Sequence, residues 1–404
     1  MLTCRVLVAT RIILCLSLIR IAAAQDVSHP DKSAGNWTFS VSGDSRNCGN
    51  VVMPAIAAAV KDDGAVFYWH LGDYRAIYKF DEDYLAEPNI PRDNNDPIIT
   101  AYLSGAWTDF IAHQLEPFKV KDIPVYLAAG NHESILPFPT REKFLEKFAG
   151  YLDTPELTTQ RLKDNPLAKA PASYYHWVRG RVDFISLDNS VNDSYDEAQL
   201  NWFFSILLRD EGDNQIRSVV VGMHEALPDS LAADHSMCKS QDGRASGRAV
   251  YRALAHAQQV AHKNVYVLAS HSHYFLENIY NTSYWNDPKN GRVVLPGWIV
   301  GTAGAVRYKL PLDLPPDTAH GQYVSRAEHV YGYMNGTVAA DGTITFAFHE
   351  LDEKALQQTR SKDYTQEFVS QCVRDNPRED KADKTPDNDM PKKKPDDPCM
   401  ENTP

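Results

Sequence analysis

The sequence predicts an α/β fold of two packed sheets flanked by helices, and three features predict it. Over residues 37–351 short apolar runs alternate with longer amphipathic ones, the pattern of a layered α/β domain. Five of the apolar runs stop at polar residues of metal-ligating type. Towards the C-terminal end, alternating runs over residues 330–337 and 343–349 flank Ala340-Asp341-Gly342, and Asp-Gly is a strong hairpin signal.

In chain order, Phe39-Ser40-Val41 reads as a strand leading into Gly43-Asp44, followed by a helix over 51–61. A second strand over 66–71 leads into Gly72-Asp73, and helical periodicity returns over 97–114. Val125-Tyr126-Leu127-Ala128-Ala129 then runs into Gly130-Asn131-His132-Glu133, with a helix over 141–151 behind it. Residues 174–188 read as a hairpin turning at Arg179-Gly180-Arg181, and 197–208 as a helix. The strand over 218–223 delivers His224-Glu225, a helix covers 245–262, and the strand over 265–270 delivers His271-Ser272-His273. Strand carboxyl ends in open α/β sheets face the crevice where ligands bind, so the five ends are expected to converge. No internal repeat of fixed period is evident.

At 404 residues and 43% apolar content the chain is long enough to bury a substantial core. Its formal charge of −12 repels nucleic acid and anionic membrane at long range, whereas a small phosphorylated substrate is less affected, because local cationic charge in a pocket overrides the net charge over a short distance. Oligomeric state is not encoded in any of these features.

Residues 1–24 have the form of an export signal. Arg5 and Arg11 precede an apolar run over 12–19, and Ala22-Ala23-Ala24 offers small residues for cleavage before Gln25. The run is too short to span a bilayer, so no stable transmembrane segment is expected after cleavage. Arg20 interrupts the pattern and keeps an uncleaved anchor as the alternative. The expected location is periplasmic or secreted. Four cysteines then remain, Cys48, Cys238, Cys372 and Cys399; the pair Cys48 and Cys238 follows two candidate metal-binding segments and is expected to be close in space, with free thiols as the alternative. Residues 374–404 are nearly all Asp, Glu, Lys, Pro and Asn and are expected to form a solvated tail. Residues 30–372 are left as the folded domain.

The polar residues at the strand ends carry the chemistry. Two cations held about 3.5–4 Å apart can bind both oxygens of a phosphoryl group and generate a bridging hydroxide near neutral pH. A shared carboxylate offsets their repulsion, while imidazoles and an amide oxygen fill positions without adding negative charge. Asp44, Asp73, Asn131, His224, His271 and His273 supply that set and leave the centre cationic in an acidic protein.

These segments, taken in order, resemble the calcineurin-like metallophosphoesterase family, whose motifs run GD, GD, GNH(D/E), H and GHxH. The resemblance covers roughly residues 39–304 and implies a four-layer fold, two packed mixed sheets flanked by helices. It also implies a phosphate-ester hydrolase with two divalent or trivalent ions, manganese, iron or zinc. By position Asp73 is then the bridging carboxylate, Asp44 and His273 complete the first ion, and Asn131, His224 and His271 complete the second. His132 matches the family histidine that assists the leaving oxygen, and Glu133 is expected to orient that imidazole and hold it cationic. Phosphomonoester hydrolysis is the leading expectation, with phosphodiesters, nucleotides or lipid headgroups as the alternative and a single-metal binding protein as a third.

One position departs from the family pattern. Many members begin GDxH, with the histidine on the first ion, whereas Gly43-Asp44-Ser45 is followed here by Arg46. The purple acid phosphatase branch lacks that histidine too and uses a tyrosine three residues after the bridging aspartate, where this chain has Ala76, with Tyr74 and Tyr78 nearby. Arg46 is therefore expected to contact a substrate phosphate, as is Arg75, with a local ion pair as the alternative for each. His235 follows the His224 strand closely enough to reach a pocket, although no motif supports it; His70 and His176 read as packing or isolated residues.

Overall fold

The computed structural model describes residues 35–75, 105–134, 141–232, 235–311, 326–327, 329–375 and Cys399. The expected signal segment, Ala76, Tyr78, residues 97–104 and the tail from 376 onward apart from Cys399 lie outside these residues. Within them the chain forms two mixed sheets flanked by helices, as the sequence predicts.

The first sheet has the order β12-β11-β1-β2-β3. Its strands are β1 (Trp37–Ser42), β2 (Tyr68–His70), β3 (Val125–Leu127), β11 (Gly332–Val338) and β12 (Ile344–Glu350). The three N-terminal strands run parallel, and the C-terminal hairpin joins them antiparallel through β1, with Trp37 opposite Val338 and Val41 opposite Met334. The second sheet has the order β10-β8-β9-β7-β6-β5-β4. It comprises β4 (Tyr175–Arg179), β5 (Val182–Ser186), β6 (Ser218–Gly222), β7 (Asn264–Ala269), β8 (Phe275–Glu277), β9 (Gly297–Val300) and β10 (Arg326–Ala327). Strands β5, β6, β7 and β9 are parallel, with antiparallel neighbours on either side.

Alternation along each strand assigns its two faces. Phe67, Trp69 and Leu71 point into the layer between the sheets, where they meet Trp177, Phe184, Val220 and Leu268 from the second sheet. Tyr68 points the other way, against Val52, Ile56 and Phe118 beneath the helix Gly49–Asp62. Val219 and Val221 face outward and pack under the helices Glu197–Gly212 and Gln241–Gln259 with Phe203, Val250 and Leu254. Both sheets thus bury both faces, and the strand ends are the places left for function.

The local expectations hold for the helices at 49–62, 197–212 and 241–259 and for both hairpins. The helix expected over 141–151 is divided into Arg141–Lys147 and Ala149–Leu152. That expected over 97–114 ends in a π-helical turn, Ile111–Leu115, which continues into Glu116–Val120. A C-terminal helix, Gln366–Asp375, runs past the boundary placed at 372. The cysteine pairing expected from the sequence is corrected: Cys48 bonds Cys372 and Cys238 bonds Cys399. Cys48 precedes the first helix and Cys372 lies in the last one, so the first bridge ties the two ends of the domain together.

At the β4 edge His176 lies between two carboxylates, with Nδ1 2.8 Å from Asp183 Oδ2 and Nε2 2.6 Å from Asp164 Oδ2. Arg209 reaches Asp164 at 2.8 Å, Gln160 lies 3.3 Å from the ring, and Asp210 stands beside Asp183. Burial alone would lower the His176 pKa, but the carboxylates outweigh it and raise it to about 9 from 6.5. Burial and the neighbouring Asp183 push Asp210 up to about 9 as well. Because the folded pKa of His176 lies above its unfolded value, its contribution is complete below pH 6.5 and is lost as the pH rises through 9. Asp210 gives up its proton over the same rise and adds to the loss. We expect the melting temperature to fall by several degrees between pH 6.5 and 9, reflecting on the order of 2–3 kcal/mol, and His176→Gln to flatten that slope. Scanning calorimetry across the window checks this; a flat profile in the wild type refutes it.

Candidate metal centre

Six predicted ligands sit immediately after β1, β2, β3, β6 and β7, at the carboxyl ends of parallel strands. Three of them hold backbone conformations that side-chain-bearing residues rarely adopt: Asp44 at φ 60°, Asp73 at φ 57° and His271 at φ 64°. Such conformations cost roughly 1–2 kcal/mol each and persist where the surroundings enforce them. The glycines beside them have distinct reasons. Gly72 has φ 96°, which glycine alone adopts without penalty. Gly130 is needed for space, because a Cβ there would lie 2.3 Å from Asp73 Oδ1.

Four donor atoms converge around Asp73. His224 Nε2 lies 3.0 Å from Asn131 Oδ1, 3.0 Å from His271 Nδ1 and 3.3 Å from Asp73 Oδ1. His224 Nδ1 donates to the Leu71 carbonyl at 2.9 Å, and His271 Nε2 faces Glu225 Oε1 at 3.7 Å. With both outer nitrogens turned to oxygen, the inner ones are the atoms that would give a lone pair to a bound ion once His224 loses its inner proton. Asp73 is buried, yet His132, His224 and Arg46 together outweigh that burial and hold its carboxyl well below the usual range. Asp73 in turn outweighs burial at His224 and raises its pKa to about 10. The centre calls for positive charge, and one carboxylate, one amide oxygen and two imidazoles fit a borderline divalent ion such as zinc or manganese.

The ligands expected for the other ion are arranged differently. Asp44 Oδ2 accepts from Ser270 Oγ and from the His271 amide, the latter at 2.6 Å. Its Oδ1 makes no hydrogen bond and faces His273 Nε2 at 3.3 Å, while His273 Nδ1 donates to the Val306 carbonyl at 2.6 Å. Asp73 Oδ2 is turned towards His132 Nε2 at 3.6 Å and Arg46 Nε at 3.9 Å. Among the described residues, the three-donor group that gathers here within 4.8 Å is Asp73, His224 and His271.

His132 and Glu133 take roles other than those expected together. Glu133 is bonded to backbone: its Oε2 accepts from the amides of Asp73 and Gly130 at 2.8 Å each, and its Oε1 from the amide of Tyr74 at 3.0 Å. It braces the two loops that carry Asp73 and Asn131. Arg46 is the residue that meets His132, with NH1 2.6 Å from Nε2. Burial first, then the Arg46 charge, pushes the His132 pKa down to about 3, so the ring is neutral rather than cationic at neutral pH. Arg75 is the other arginine expected at a substrate phosphate. Its NH1 lies 2.8 Å from Asn50 Oδ1 and 2.9 Å from Asp109 Oδ2, the ion pair that was the alternative.

Several residues around the ligands carried no sequence signal. Ser270 is buried and donates to Asp44, Glu225 is buried and faces His271, and Tyr308 stacks on His273 with ring centroids 4.1 Å apart. His235 does reach the site: its ring lies 5.3 Å from His271 and 5.6 Å from Tyr308. Adjacency in sequence to His271 and His224 was the only available hint for Ser270 and Glu225.

No protein-family model matches the chain, and no curated protein does. Among solved structures, the chain is similar to PhoD, at 14% identity over 80% of this chain and 73% of that one, with a TM-score of 0.48. It is also similar to GAP50, the anchor in the inner membrane complex of Plasmodium, at 12% identity over 80% of this chain and 94% of that one, TM-score 0.41. A dimetal phosphatase from Danio rerio aligns at 10% identity over 77% of this chain and 98% of that one, TM-score 0.42. Likenesses of this degree carry no functional argument, which rests on the residues themselves.

Proposed function

We propose that the chain is a metal-dependent hydrolase of phosphate esters, acting on a small phosphorylated substrate and most readily on a monoester. The observation that supports this best is the convergence of Asp73, Asn131, His224 and His271 donors at 3.0–3.3 Å, with the His132 ring 3.6 Å from the other oxygen of Asp73. A divalent ion held there would polarise the phosphoryl group and supply a nucleophile at neutral pH. Asp73 holds the centre with one oxygen on each side. His132 stands where it can donate a hydrogen bond to the leaving oxygen as charge develops on it. Arg46 presents a planar, permanently charged donor to the free phosphoryl oxygens, which favours the dianion of a monoester. The like position of the ligands in the calcineurin-like metallophosphoesterase pattern supports the same reading.

Export is part of the proposal. Two disulfides, Cys48 with Cys372 and Cys238 with Cys399, suit an oxidising compartment. No helix among the described residues is long and apolar enough to cross a membrane.

The test is turnover of p-nitrophenyl phosphate and of its bis ester, with manganese, zinc or iron supplied. Faster cleavage of the monoester is expected; cleavage of neither ester with any of the metals would sink the reading. His132→Ala should lower kcat by about 10²–10⁴-fold, the usual worth of such a group, with metal content unchanged. Equal kcat in the variant would remove His132 from the chemistry.

A further inference from the structure

We infer that this chain binds a single metal ion tightly and that the Arg46 guanidinium takes the place of the second. The inference rests on the phosphoesterase reading for its purpose but on side-chain placement for its evidence. Asp73 has the disposition of a carboxylate shared by two cations. Its Oδ1 belongs to the group with His224 Nε2, 3.3 Å away, and its Oδ2 faces Arg46 Nε at 3.9 Å. The second cation of the pair is therefore a side chain of the protein itself.

Among the described residues the remaining donors make a sparse set for another ion. Asp44 Oδ2 is taken by Ser270 Oγ and the His271 amide, which leaves Asp44 Oδ1 and His273 Nε2, 3.3 Å apart, as the only inward pair beside Asp73 among the described residues. Ions of this kind take four or more ligands, so a second ion here would depend on water to complete its shell and would be held weakly. A second dication on Asp73 Oδ2, at about 2 Å from it, would also stand against the guanidinium, and like charges at that separation repel strongly in a buried site. Charge balance agrees. Two carboxylates face one dication and one guanidinium, so the centre keeps a single positive charge, sufficient to draw a phosphate without the cost of two further charges.

The substitution alters what the position can do. A metal ion at this place would bind a phosphoryl oxygen directly, whereas the guanidinium offers hydrogen bonds in a fixed plane and stays charged at every accessible pH. It also ties phosphate binding to His132, because the same NH1 lies 2.6 Å from the ring nitrogen.

The closing experiment counts ions in the full chain by calorimetric titration with Mn(II) and with Zn(II) and by metal analysis after desalting. Wild type is expected to hold one equivalent. Arg46→His, which supplies the missing imidazole and removes the cation, is expected to hold two, with Mn(II) giving an exchange-coupled spin pair by paramagnetic resonance. His273→Ala should still hold one, with affinity within about threefold of wild type. Two equivalents in the wild type with affinities within tenfold overturn the inference, as does loss of the ion in His273→Ala protein that retains its circular dichroism. Ester turnover is measured on the same samples: two ions with turnover sinks this inference alone, whereas one ion with no turnover sinks the hydrolase reading and leaves the stoichiometry standing.

Discussion

Asp73→Asn protein is expected to fold normally and to lose its metal ion. Asparagine keeps the size of the side chain and tolerates the left-handed backbone at φ 57°, so both sheets should form as before. The charge, however, lies between His224 at 3.3 Å and Arg46 at 3.9 Å and answers both at once. One amide oxygen cannot face two cations, and the amide nitrogen would turn a donor towards either His224 or the guanidinium. We expect metal affinity to fall by on the order of 10³-fold, roughly 4 kcal/mol, with turnover falling at least as far. Calorimetric titration with Zn(II), alongside circular dichroism, measures both halves of the claim. Affinity within tenfold of wild type would show that Asp73 is not the hub of the site.

Glu133→Ala should damage stability and the metal centre together. Removing the carboxylate leaves the amides of Asp73, Tyr74 and Gly130 without their acceptor in a fully buried position. An unsatisfied buried amide costs about 1–3 kcal/mol, so three of them set a loss on the order of 3–9 kcal/mol before any cavity effect. Since two of those amides belong to the residue at the centre and to the glycine before Asn131, metal affinity should drop with stability. Glutamine would restore only part, because its side-chain NH2 meets an amide donor where the carboxylate presented an acceptor. Denaturant unfolding with and without Zn(II) separates this bracing role from a chemical one: a variant with normal stability and low kcat would return Glu133 to partnership with His132.

What was legible in the sequence was what is local. A strand that ends in glycine and then a ligand announces itself, because the sharp turn and the close approach both demand particular residues at fixed spacing. Asp44, Asp73 and Asn131 were marked in this way, and His224, His271 and His273 by the apolar runs that lead into them; the structure brings all six to one end of the sheets. The partners of those residues were not legible. Glu133 sits beside His132 in sequence, but its carboxylate is aimed by a three-residue helical turn at the loop 60 residues earlier. Arg46 was visible as an anomaly, yet its contact with His132, 86 residues away, depends on how β1 and β3 are placed on either side of β2. Cysteine pairing failed for the same reason. Proximity of Cys48 and Cys238 to ligand segments said nothing about the helix at the chain's far end that approaches Cys48.

The position of β1 has a consequence for how the protein is made. Its antiparallel neighbour, β11, pairs Trp37 with Val338, so the strand that delivers Asp44 cannot complete its sheet until some 300 further residues exist. At about 5–20 residues per second, translation holds that strand without its mate for on the order of 15–60 s. The central run of the second sheet, β5 to β9, has its parallel partners closer in sequence and can assemble earlier. The first sheet is then the last part to close, and a ribosome-bound or translocating chain would show an apolar β1, with Trp37, Phe39 and Val41, to any chaperone that binds extended segments.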